Sequence, residues 1–183
     1  MKKQRTHLKD LSLAALLTAV LVLSSFLCIP VGDGRISLQF LAVLLIGGLL
    51  PMKYALLSIL SYLTLGALGL PVFAGFGAGL GVLFGPTGGF LLGFLPSVLV
   101  FDLLCRKKRS FPSFLVSGLL ALSCCYLSGS VWYLIYLPEH SLLTTLSVCI
   151  LPYLLPDLLK ILLASLVLCA LKGRRISSRQ DAD

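Results

Sequence analysis

The hydrophobic positions of this chain run in long stretches, and the charged ones gather in short clusters at the ends of those stretches rather than along one helical face. A transmembrane helix needs about 20 mainly apolar residues. Six segments answer that description, residues 11–29, 37–51, 54–70, 88–105, 114–137 and 149–171. The pattern predicts an all-α integral membrane protein, a bundle of six transmembrane helices forming one domain over residues 1–183. Once these segments are placed, too little chain remains for a second domain, and no ATPase domain fits. The second segment is short, so it is expected to be tilted or flanked by protein. A short helix facing lipid alone would expose backbone groups to hydrocarbon.

The basic residues fix an expected orientation. Alternating the loops between two sides sends Lys2, Lys3, Arg5, Lys9, Lys53, Arg106, Lys107, Lys108, Arg109, Lys172, Arg174, Arg175 and Arg179 to one side, which is thirteen of the fifteen Lys and Arg residues. Only Arg35 goes to the other. Positive charge marks the cytoplasmic side, so both termini are expected on the cytoplasmic side of the membrane. The patch Lys2-Lys3-Arg5 precedes a long apolar run without a small-residue cleavage site, the mark of a retained first helix. Lys160 is the exception to the pattern, because it falls inside the last span.

Composition agrees with this picture. With 58% hydrophobic and 12% charged residues the chain is far from the roughly half-apolar, quarter-charged balance of soluble domains. Its net charge of +8 therefore reads as a topology signal rather than a nucleic-acid footprint. Cys28, Cys105, Cys124, Cys125, Cys149 and Cys169 lie mostly inside apolar runs, without the spacing of a zinc or redox site, so no metal and no cofactor are expected. Residues 69–89 hold many glycines and no charge. An ordinary solvated loop is polar, so this one is expected to fold back against the bundle, its glycines permitting close approach and positive φ. It lacks the Gly-Lys-Ser/Thr ending of a phosphate-binding loop.

Candidate chemistry sits in Pro152-Tyr153-Leu154-Leu155-Pro156-Asp157-Leu158-Leu159-Lys160. Asp157 and Lys160 stand three apart in an apolar stretch, which on a helix puts them on one face with β-carbons about 5–6 Å apart. Lys160 is about 18 Å of helical rise from Lys172, in the outer half of the bilayer. Charged groups at that depth cost about 2.5–3.5 kcal/mol each on insertion scales and mark substrate paths when retained. The pair suits a small polar ligand, and it also suits an ion pair that merely holds the sixth helix in place. Pro156 fits a first helical turn, whose open amides favour an anion.

Three stretches together carry a resemblance. They are Ala67-Leu68-Gly69-Leu70-Pro71-Val72-Phe73-Ala74-Gly75, then Leu83-Phe84-Gly85-Pro86-Thr87-Gly88-Gly89-Phe90-Leu91-Leu92-Gly93-Phe94, and then Asp157-Leu158-Leu159-Lys160. With Ser37-Leu38-Gln39-Phe40-Leu41-Ala42-Val43-Leu44-Leu45 and the six-span layout, nearly the whole chain resembles BioY, the biotin-binding S component of energy-coupling factor (ECF) transporters. The resemblance implies a six-helix bundle with a biotin pocket near the outer face, capped by the connections after the first and third helices. It implies that Asp157 and Lys160 are the ligand-contacting acid and base and favours Gln39 for the carboxylate, Arg35 being a second candidate or a solvated loop charge. Members commonly carry Asn where this chain has Gly75, and Gly where it has Pro156. Backbone groups or a water could replace the hydrogen bond expected at Gly75.

Biotin also makes physical sense of these residues, since its ureido group offers two N–H donors and one carbonyl acceptor. Asp accepts and Lys donates. Phe73, Phe76, Tyr153 and Trp132 are candidate apolar walls, although each equally suits core or interface belt. The resemblance further implies docking on a transmembrane coupling subunit whose ATPases drive transport. Ala15 and Ala19, one turn apart on the first helix, form a small-residue stripe suited to that contact or to packing within the bundle. Competing readings are an S component for another vitamin and an intramembrane enzyme, the latter without an HExxH, a GxSG or paired intramembrane aspartates to support it.

Overall fold

The computed structural model describes residues 2–31, 34–106 and 108–171. Helix α1 (Lys2–Phe26) leads into two short strands, β1 (Cys28–Val31) and β2 (Gly34–Ser37). Then follow α2 (Gln39–Leu49), α3 (Met52–Ala67), a single turn α4 (Leu80–Leu83), α5 (Gly88–Cys105), α6 (Phe111–Tyr136), α7 (Leu142–Cys149) and α8 (Leu151–Ala170). The fold is mostly helical rather than all-α, because the strands pair antiparallel from Cys28 against Ser37 to Val31 against Gly34.

Four helices are long and apolar enough to cross a membrane: Thr6–Phe26 within α1, α5, α6 and α8. Helices α2 and α3 are apolar but have 11 and 16 residues. They rise about 16 and 24 Å against a hydrocarbon core of about 30 Å. The expected segments therefore need correcting at three places. The first stops at Phe26, since the next residues satisfy their backbone groups as a strand. The second begins at Gln39 because Ser37 still belongs to β2. The last is broken at Ile150, which ends α7 and opens α8, and Pro152 then occupies the first turn, where its missing N–H costs nothing.

Helix α2 is the central element, with eight residues buried and none exposed. Gly47 lets α5 come close, a β-carbon there standing 3.0 Å from Val98, and Gly48 does the same for Leu168 of α8. Val43, Ile46, Ile59 and Val98 are fully buried around it. Large leucines such as Leu16, Leu127 and Leu155 face outward. A soluble protein keeps most of its large apolar side chains inside, so this apolar exterior marks a multi-pass membrane protein.

One end of the bundle gathers the turns between helices. The Arg109 guanidinium donates to the Gly48 carbonyl, and His7 meets Tyr54 edge to face at 5.6 Å. The start of α1, the α2–α3 turn and the α5–α6 turn thus share that end, with Lys53, Arg106, Lys108 and Arg109. Lys107, Lys172, Arg174, Arg175 and Arg179 lie outside the described residues. The other end carries the hairpin, the glycine-rich segment and α7. There Phe73 inserts beside Gly66 and packs edge-on against Tyr62 at 5.5 Å. Gly79, at φ +83°, donates its amide to Gly66 at 2.7 Å. The uncharged segment folds back on the bundle, and positive φ lets it do so.

Candidate functional site

Beneath the hairpin and the glycine-rich segment lies a cavity of about 800 Å³, reached by residues of α2, α5, α6, α7 and α8. That size falls within the range of about 300–1,000 Å³ typical of ligand pockets. Two polar groupings stand in its largely apolar wall.

Helix α8 supplies the first. Its buried positions are Asp157, Lys160, Ile161, Ala164, Ser165 and Leu168, one stripe at helical spacing, while Leu155 and Leu159 face outward. Asp157 and Lys160 consequently point into the bundle. Lys160 Nζ donates to Asp157 Oδ1 at 2.5 Å, and Tyr126 of α6 donates its hydroxyl to Oδ2 at 2.6 Å. All three residues line the cavity. Pro156 is the sixth residue of α8 rather than part of its first turn, which corrects the expected anion-binding helix end at Asp157. There the backbone is already helical.

The second grouping forms at the head of α2. The Gln39 side chain accepts from Ser37 Oγ at 2.7 Å and donates to the Tyr62 hydroxyl. Gln39 and Ser37 line the cavity, as do Phe73 and Tyr153, whose hydroxyl donates to the Val31 carbonyl of β1 at 3.2 Å. A Gln buried at a helix start with both ends of its amide bonded is held in one orientation.

Gly75 is different. Ala74 lines the cavity, whereas Gly75, at φ +67°, lies against the Arg35 guanidinium, where an added β-carbon would stand 2.6 Å from Cζ. Arg35 Nη1 donates to the Ala74 carbonyl at 2.5 Å. Arg35 is therefore exposed yet tied to the covering segment, and it fills the space a side chain at position 75 would need. Of the other candidate aromatics, Phe76 is exposed and stacks on Phe26 at 4.6 Å. Trp132 donates to the Gly85 carbonyl at 3.0 Å, and neither it nor Phe76 lines the cavity. Ala15 and Ala19 are exposed on the outward side of α1, opposite the buried Ala14, Leu17, Thr18 and Leu21. Among the described residues no group of three His, Cys, Asp or Glu side chains stands ready for a metal.

A model of the BioY family matches residues 1–176. The chain belongs to the BioY family. Among its relatives, the biotin transporter BioY of Thermotoga maritima is 38% identical over 165 residues, covering 90% of this chain and 96% of that protein. The probable biotin transporter BioY of Pyrococcus horikoshii is 34% identical over 165 residues, covering 90% and 97%. Among solved structures, the crystal structure of the S component for biotin from an ECF-type ABC transporter superposes with a TM-score of 0.84 at 26% identity, covering 92% of this chain and 93% of that one. The fold that the helices build here thus matches that of the S component.

Tyr126, Ser37 and Tyr62 joined the polar groupings without a sequence signal of their own. Ser37 stood inside the motif around Gln39. The tyrosines are single polar-tipped residues in apolar helices, a position equally suited to core or belt.

Proposed function

We propose that this BioY-family chain takes up biotin, as the substrate-binding S component of an ECF-type transporter. The reading rests on one observation above all, the Asp157–Lys160 pair set in the wall of a largely apolar cavity under the hairpin. The acid and the base match the ureido N–H and carbonyl groups of biotin, and the apolar wall suits its thioether ring and valeryl chain. Gln39 and Arg35 are the groups for the carboxylate, and Phe73, Tyr153 and the backbone around Gly75 form the cover. The family and the relatives are transporters, which sets an intramembrane enzyme aside.

In this reading the whole chain is one membrane domain of six crossings, α2 and α3 being short ones, of which α2 is sheltered by its neighbours. Both termini are cytoplasmic, as the charge pattern requires. The exposed Ala15 and Ala19 form the seam for a transmembrane coupling subunit, since close helix approach tolerates only small side chains. The ATPases bound to that subunit supply the energy.

Calorimetry on the purified protein in detergent tests the site. Biotin binding is expected, and Asp157→Asn and Lys160→Met are expected to remove it. Folded variants that bind like the parent would sink the assignment. Loss of folding in both, restored by the double change, would instead leave the pair a structural one. Replacing Ala15 and Ala19 with Leu should abolish co-purification with the energising module and leave biotin affinity nearly unchanged. If that variant loses biotin binding and assembles normally, the stripe belongs to the bundle. Single-cysteine labelling checks orientation, with position 139 reached from outside and position 108 protected.

A further inference from the structure

The carboxylate of Asp157 is held from two sides by two helices. Lys160, one turn along α8, takes Oδ1, and Tyr126, across the interface on α6, takes Oδ2 at 2.6 Å. Alone, the acid and base on α8 would form a flexible i, i+3 pair, free to rotate about their own side-chain bonds. The Tyr126 hydroxyl removes that freedom by tying the carboxylate plane to a second helix. The two helices are themselves close, since a β-carbon at Gly118 of α6 would stand 2.7 Å from Ile161 of α8. Asp157 is only 7% exposed, so its remaining lone pairs have little water to turn to.

We propose that Tyr126 is a positioning residue for ligand recognition. Its hydroxyl orients the Asp157 carboxylate so that a remaining lone pair meets one N–H of a cyclic urea, and it thereby sets selectivity for that N–H over an alkylated nitrogen. The inference rests on the reading of this cavity as the biotin site. A carboxylate has about four acceptor positions, of which Lys160 and Tyr126 take two. A fixed, poorly hydrated acceptor rejects a ligand that lacks the matching donor, because the acceptor is then left unpaired. An unfixed carboxylate turns aside and discriminates less.

The test compares biotin with its two derivatives methylated on one or the other ureido nitrogen, each titrated into the parent protein and into Tyr126→Phe, which keeps the ring and loses only the hydroxyl. Tyr126→Phe is expected to weaken biotin about 10- to 100-fold. It should leave one of the methylated derivatives almost as weakly bound as before, so that the preference for biotin over that derivative collapses by the same factor. In an Asp157→Asn background the tyrosine change should have little further effect. A uniform loss for all three ligands overturns the proposal in favour of a purely structural tyrosine, and unchanged biotin affinity overturns it outright. A parent protein that binds no biotin would bring down the functional reading itself and this inference with it. A parent that binds while Tyr126→Phe is indistinguishable from it removes only the role of Tyr126.

Discussion

The two halves of the bundle are held together by different means. Toward the end that carries Arg109, helices interdigitate. Gly47 sits against Val98 and Phe101, Gly48 against Leu168, and Phe101 stacks on Phe114 at 6.4 Å. Toward the hairpin end, the covering segments are held by Phe73 inserted beside Gly66, by backbone bonds such as that of Gly79 to Gly66, and by single side-chain bonds to backbone carbonyls. Ser25 donates to Val72 at 2.6 Å, Arg35 to Ala74 at 2.5 Å, Trp132 to Gly85 at 3.0 Å and Tyr153 to Val31 at 3.2 Å. Close packing fails all at once, when a helix moves. Single bonds of about 0.5–1.5 kcal/mol each give way one at a time. The same helices therefore make a packed floor under a cover that is anchored at Phe73 and bonded singly elsewhere, which suits a cavity filled from one side.

Phe101→Ala is the strongest way to break this contrast. It empties the packed half and is expected to cost about 3 kcal/mol or more. Thermal unfolding in detergent reads that loss, while biotin affinity of the folded protein stays within about threefold of the parent, roughly 0.7 kcal/mol. Gly118→Leu tests the border between the halves, because it forces α6 away from Ile161. Overpacking of this kind costs about 1–3 kcal/mol, and here the ligand affinity should fall as well, since Tyr126 and Asp157 face each other across the same interface. Thr18→Val removes the 2.8 Å hydroxyl pair with Ser58 between α1 and α3. About 0.6 kcal/mol is expected, the average for a hydrogen bond between membrane helices, with no change in binding. Arg35→Ala loosens the cover and also removes a candidate partner of the carboxylate. Its bond is exposed, so stability should drop by about 0.5 kcal/mol or less, yet stopped-flow dissociation of biotin should quicken severalfold. A quickened dissociation in Phe101→Ala and none in Arg35→Ala would reverse the assignment of floor and cover.

Much of this was legible in the sequence because it depended on local spacing. Asp157 and Lys160 face the cavity as three-residue spacing on a helix requires, and the long apolar runs became α1, α5, α6 and α8. The hairpin was not read, because Cys28-Ile29-Pro30-Val31 continues the preceding apolar run without a break in hydropathy. The cues were there in the β-branched Ile29 and Val31 and in the Gly32-Asp33 that follows, a dipeptide that favours tight hairpin turns. Tyr126 was out of reach for another reason. Its partner lies 31 residues away on another helix, and only the crossing of α6 and α8 brings them together. Phe76 and Trp132 failed as cavity walls because an aromatic near a pocket in sequence has no direction until the backbone is set. Phe76, at φ +61°, is turned onto Phe26 instead.

Helix α2 also governs what the bilayer feels. An eleven-residue helix in contact with lipid would pull the two leaflets toward each other, at a cost of fractions of a kcal/mol per ångström of mismatch. With no exposed residue, α2 is hidden from the acyl chains, which meet α1, α6, α8 and the outward Leu57 and Leu60 of α3 instead. The deficit in length is thus turned inward. Where a longer helix would have continued, the bundle keeps an internal hollow bounded by Gln39, so the shortness of α2 is not passed on to the lipid.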